Sequence, residues 1–295
     1  MLTVFLLVFA SCVFQTVWYL ICKISPKTYT VLVSNIIGGI LFFPLMFFVP
    51  DGFVILKKVW YIIILSGLAN GYVFWLITRM YRIGGDVSYV TPLRQSLYIF
   101  SSVILSVIIG KTKDISTCAY VGFLLIVFGC LLLPVVNAKS IKLKNYFNAI
   151  GFLCVLTGFF AALSALFDSV TLKAMGDALS PAKKAFLFIS PFRFATVIGL
   201  LPFLWYDKMR YGIDFRKEKP DYIQALEIGI CVTVAYIFVC CAYPIAPDVS
   251  YVVAFRLMAL PMSILGGITV FREKVYFGKI FGSILIVAGL VLSAF

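Results

Sequence analysis

The chain has 295 residues, 63% of them hydrophobic and 13% charged, with a formal net charge of +13. Soluble domains run at roughly 45–50% apolar and about 25% charged, so a water-soluble fold is excluded and an all-α integral membrane protein is expected. The Lys and Arg residues fall in short gaps between apolar runs, where they face headgroups and water; this argues against nucleic acid as a partner and for the lipid bilayer.

A helix needs about 20 apolar residues to cross the hydrocarbon core. Ten such runs are predicted, at 2–22, 28–49, 58–80, 87–109, 117–136, 147–170, 183–206, 222–243, 249–271 and 276–295. Unpaired backbone groups cannot face lipid, and the runs are too long for barrel strands of about 10 residues, so they are read as helices. The first run lacks a basic leader and is long enough to span, so it reads as a helix and not as a signal peptide. No polar stretch approaches the roughly 50 residues of a separate domain. The eight Cys lie mostly inside apolar runs without CxxC or metal spacing, and there is no His. No metal, cofactor or catalytic centre is expected, since paired catalytic carboxylates and a GxSxG-like element are also missing.

The strongest signal is an internal repeat. From Tyr81 the chain reads YRIGGDVSYVTPLR and from Tyr243 it reads YPIAPDVSYVVAFR; at a spacing of 162 residues, eight of fourteen positions are identical. The identities include Asp86/Asp248, Ser88/Ser250, Tyr89/Tyr251 and Arg94/Arg256, which lipid-driven composition alone does not repeat. Gly122 and Gly129 align with Gly282 and Gly289 at a spacing of 160. Residues 1–138 and 145–295 are therefore expected to be two five-helix repeats. An odd number of spans per repeat inverts the second copy, giving ten transmembrane helices related by an axis in the membrane plane, as in secondary transporters.

The stretch from Phe271 to Leu290, FREKVYFGKIFGSILIVAGL, resembles the closing signature of EamA-type repeats, in which an acid precedes a glycine-punctuated final helix. With ten spans in a five-plus-five repeat, the whole chain resembles the drug/metabolite transporter superfamily. The matching positions are Glu273, Gly282 and Gly289 in the second half and Gly122 and Gly129 in the first. The first half departs from the pattern, since Gly110-Lys111-Thr112-Lys113 carries no acid, so Glu273 is read as structural. The resemblance implies that helices four and nine line a central cavity.

Those helices carry Arg94 and Arg256. Arg94 lies eight residues beyond Asp86, or roughly 12 Å along a helix, near the middle of a core about 30 Å thick. A central Arg faces protein or a wet cavity. Substrate contact is one reading; the other is structural pairing, with each Arg neutralised by carbonyls or by an acid such as Asp86 or Asp248. Arg193 follows Pro191 in helix seven, and its first-half counterpart near Ser34-Asn35 is uncharged. Gln15, Asn35 and Asn70 are further candidates, against a bland role as interhelical glue. Tyr89 and Tyr251 are candidates for stacking, against a role as interfacial anchors. Gly67 and Gly71 are expected at a close helix contact.

Asp168 and Glu227 are read as lying near helix ends, so proton coupling through a central acid is not expected. Positive-inside counting puts the termini outside, whereas the family resemblance puts them in the cytoplasm. The expected function is transport of a small anionic or zwitterionic metabolite by a monomer or homodimer, in a bacterial inner membrane. The alternative is a scaffold or receptor that keeps the transporter fold.

Overall fold

The computed structural model describes residues 1–24, 28–83, 87–109, 115–133, 135, 149–212, 221–272 and 275–293. Asp86, Glu273, the Gly110–Lys113 segment and the side chain of Tyr89 lie outside the described residues. Within them the chain is helical: α1 (Leu2–Ile24), α2 (Thr28–Leu41), a 3-10 turn at Phe43–Phe48, α3 (Gly52–Arg82), α4 (Val87–Ile108), α5 (Thr117–Leu132), α6 (Ala149–Ala174), α7 (Pro181–Tyr211), α8 (Tyr222–Ala242), α9 (Val249–Arg256), α10 (Ala259–Phe271) and α11 (Phe277–Ser293).

Among the described residues, six helical segments are long and apolar enough to cross a membrane: Tyr29–Phe48, Gly52–Met80, Ala149–Ala174, Pro181–Arg210, Tyr222–Ala242 and Val249–Val270. Leu2–Trp18, Thr117–Leu132 and Phe277–Ser293 are shorter apolar helices. α4 is of spanning length but carries Arg94, Gln95 and a series of serines. The outward faces of the short helices are apolar, with Leu6, Phe9, Val13 and Val17 exposed on α1, and Ile280, Ile284, Val287 and Val291 on α11. Spacings of three and four put each set on one stripe, a surface suited to lipid and not to water.

Local sequence sets the helix limits. Ser116, Ser180 and Asp221 cap α5, α7 and α8, each accepting from a backbone N–H three residues on. Pro181 starts α7 with its preset φ, and Gly212 ends it at φ 65°, where a residue with a Cβ is strained. The ninth predicted span is broken. Pro261 has no N–H for the Leu257 carbonyl and crowds it, so Leu260 N takes that acceptor at 2.9 Å and the chain turns through Leu257 and Met258 between α9 and α10. By contrast α4 runs on through Pro92, and α7 through Pro191 and Pro202.

Glycines bring the helices together. A Cβ on Gly122 would lie 2.5 Å from the Gly289 carbonyl oxygen, and one on Gly289 would lie 2.5 Å from that of Gly122; Gly129 and Gly282 meet in the same reciprocal way at 2.7 Å. Gly67 and Gly71 of α3 lie against the backbone of α7 at Ala195 and Gly199. The helix partners are themselves paired: α1 packs on α8 and α6 on α3, α2 on α8 and α7 on α3, α4 on α6 and α9–α10 on α1. α2 with α7, α4 with α9 and α5 with α11 also pack together, and α7 packs on α8 without a matching α2–α3 contact of that extent. Exchanging each helix of the first half with its counterpart in the second maps the other contacts onto one another.

Candidate functional site

A cavity of about 110 Å³ opens between α1, α3, α4, α6, α7, α8 and α9. Room for a water takes about 10–15 Å³ on this measure, and an engineered site of about 150 Å³ accepts benzene, so the space suits a small solute. Of the sequence candidates, Gln15, Asn70, Arg94, Arg193 and Arg256 line it. Three lining pairs stand 162 residues apart: Asn70 with Val232, Phe74 with Tyr236, and Arg94 with Arg256. Arg94 and Arg256 are half-buried.

The other candidates sit elsewhere. Asn35 is buried behind the cavity, where its Oδ1 accepts from Arg193 Nη1 at 2.9 Å and its Nδ2 donates to Val31 O at 2.9 Å. Tyr251 is not at the cavity: its hydroxyl accepts from Ser116 N at 3.1 Å and its ring meets Phe123 edge-on at 5.7 Å. The reason is helical phase, because five residues on a helix amount to a turn of roughly 140° away from Arg256. Tyr251 therefore ties α9 to the start of α5.

Structural pairing of Arg256 with Asp248 is ruled out. Asp248 caps α9, accepting from Ser250 N at 2.8 Å, and both its oxygens accept from Ser106 Oγ at 2.9 Å. Arg256 instead lies with Cζ 5.5 Å from the Tyr236 ring centre, and Arg193 lies 5.7 Å from the same ring. Phe192 stacks on Tyr236 at 5.0 Å with an interplanar angle of 6°. Arg193 is 3% exposed, and its Nε and Nη2 have no hydrogen-bond partner among the described residues.

Asp168 corrects the sequence reading. It is fully buried and not near a helix end, because α6 continues to Ala174 and places it roughly 9 Å inside at 1.5 Å per residue. Ser66 Oγ donates to its Oδ1 and Tyr236 OH to its Oδ2. Ser66 and Ser164 are cross-bonded, with their hydroxyls 2.9 Å apart. Tyr236, Tyr98, Trp18 and Gln95 are lining residues that sequence reasoning missed. The available signal for Tyr236 was its spacing from Phe74.

No protein-family model matches the sequence, and no characterised protein matches it. A crystal structure described only as that of a protein superposes over 98% of this chain and 95% of its own length, with a TM-score of 0.67 at 12% identity. That likeness is one of fold alone.

Proposed function

We propose that the protein carries a small anionic or zwitterionic solute across a membrane by alternating access, with ten transmembrane helices arranged as two inverted five-helix repeats of the EamA type within the drug/metabolite transporter superfamily. The observation that carries the reading is the cavity between the halves, into which Arg94, Arg193 and Arg256 converge. Asp168 does not line it and is held by Tyr236 and Ser66. A site with three guanidinium groups and low-dielectric walls concentrates anions, and an Arg fork holds a carboxylate or phosphate through two parallel bonds.

Two further observations support the repeat. The main helix partners exchange under the swap of halves, α7 against α8 being the exception, and at α5–α11 Gly122 meets Gly289 while Gly129 meets Gly282. With Gly122 matched to Gly282 and Gly129 to Gly289, residue i touches the mate of j and j touches the mate of i, as an isologous two-fold contact requires. Such pseudo-symmetry lets outward-open and inward-open states be near mirror images.

The test is flux. Protein in liposomes should exchange at least one member of a panel of small carboxylates, phosphate esters and amino acids, and Arg256→Ala should stop it. Absence of flux across the panel, with the protein folded, would favour the scaffold or receptor reading.

A further inference from the structure

We infer that Asp168 is a proton-binding site linked to the anion site, so that the carrier moves its anion together with a proton. This rests on the transporter reading. Asp168 is fully buried, and among the described residues no ion pair fixes its charge. Each carboxyl oxygen meets a hydroxyl, Ser66 at Oδ1 and Tyr236 at Oδ2. A hydroxyl both donates and accepts, so neither partner commits the acid to one charge state. On the Ser66 side the alternative acceptor is already in place: Ser66 Oγ lies 3.2 Å from the Ser164 carbonyl oxygen. When Asp168 holds a proton, its O–H donates to Ser66 Oγ, and the serine turns its own proton to Ser164 O. The network stays satisfied in both states.

Tyr236 is the shared wall. Its hydroxyl bonds Asp168 while its ring lies 5.7 and 5.5 Å from the Arg193 and Arg256 guanidinium carbons. Among the described residues, the titratable and charged groups around Asp168 are Arg193 from α7, Arg256 from α9, Tyr98 from α4, and Tyr236, Cys240 and Tyr243 from α8 and its end. Of these only the arginines are charged near neutrality. With no anion present they favour a carboxylate at Asp168, and an anion between them cancels that preference. Anion binding therefore draws a proton onto Asp168, and by reciprocity the proton tightens anion binding by the same factor. Release of the anion on the far side frees the proton there.

Sulfate, whose charge is fixed over the useful range, is the probe. It is titrated onto purified protein in sodium-free buffer at roughly pH 8 and roughly pH 5, with proton uptake followed by an indicator and carboxyl protonation by difference infrared spectroscopy. The expected result is binding at least about five-fold tighter at the acid end, uptake of up to about one proton per chain at fixed pH, and a carboxylic-acid carbonyl band that rises with sulfate. Asp168→Asn should bind sulfate equally at both pH values and lack the band. Should that variant not fold, Tyr236→Phe keeps the ring beneath the arginines and should lower the proton uptake. Equal wild-type affinity at both ends, no sulfate binding at either, or proton uptake that survives in Asp168→Asn overturns the inference. Sulfate flux in liposomes that ignores an imposed pH gradient overturns it and leaves transport standing. Intact linkage without flux of any anion overturns the transport reading and leaves the proton site.

Discussion

Arg193 of α7 donates from Nη1 to Asn35 Oδ1 of α2 at 2.9 Å, joining two helices that cross beside the cavity. The bond runs between the first half and the second, 158 residues apart in the chain. Asn35 is itself held by its bond to Val31 O, which makes it a positioning residue for a buried cation and not a substrate ligand.

Asn35→Ala removes that acceptor. Hydrogen bonds to charged groups contribute about 1.5–3 kcal/mol, so thermal unfolding in detergent should show a loss of that order. Asn35→Asp places an opposite charge at the same spot and should recover stability while weakening anion binding, because the cavity loses net positive charge. Equal anion affinity in Asn35→Asp and wild type would show that Arg193 takes no part in binding.

Gly289→Ala tests the α5–α11 seam. The new Cβ would sit 2.5 Å from the Gly122 carbonyl oxygen, and backbone on both sides cannot yield as a flexible side chain does. Overpacking costs roughly 1–3 kcal/mol. Gly122→Ala meets the same contact from the other side, so the double variant should cost less than the sum of the singles. Val287→Ala, on the exposed face of α11, is the control and should change little. Additive costs for the two glycine variants would mean that the helices do not share one contact.

The seam and the cavity differ in how far they were legible. Gly122, Gly129, Gly282 and Gly289 announced themselves by spacing, as did Arg94 with Arg256, because in the proposed repeat the same residue solves the same problem twice. Asp168 was misplaced for a plain reason: the apolar run stops near residue 170, but Thr171-Leu172-Lys173-Ala174 carries the helix on, and hydropathy marks where lipid ends, not where hydrogen bonding ends. Tyr251 repeats Tyr89 faithfully, yet its phase on α9 points it at Phe123. The break after Arg256 needs Pro261, which has no partner in the first half, where position 99 is Ile. Repetition reveals shared architecture, and function also needs the places where the copies differ.

That difference yields a prediction. Pro261→Ala supplies an N–H for the Leu257 carbonyl, so α9 and α10 should join into one helix with ordinary i to i−4 bonding. An interior proline disfavours a helix by about 3 kcal/mol, so stability should hold or rise. Arg256 is the last residue of α9, and straightening would rotate it away from Tyr236. Anion affinity should therefore fall while the melting temperature does not. A variant that melts lower and binds as before would show that the break serves packing and not the site.

Arg94 and Arg256 carry the prediction on substrate charge. Both line one cavity, and Asp248, the acid that could have neutralised Arg256, is taken by Ser106 and Ser250. Lys at either position keeps the charge but loses the two-pronged geometry that matches a carboxylate or phosphate. Arg256→Lys should accordingly weaken anion binding about ten-fold, the effect of roughly 1.4 kcal/mol. Arg256→Ala should weaken it further while the protein remains folded, because Arg256 is only half-buried and the loss at Tyr236 is about 0.5–2 kcal/mol of cation–π attraction. Arg94→Ala should behave alike if the two side chains hold one anion between them, and the double variant should then cost less than the sum. Independent, additive losses would mean separate anion sites. A cationic solute transported as well by Arg94→Ala and Arg256→Ala as by wild type would show that the arginines brace the helices and the solute is chosen by Tyr236, Tyr98 and Trp18.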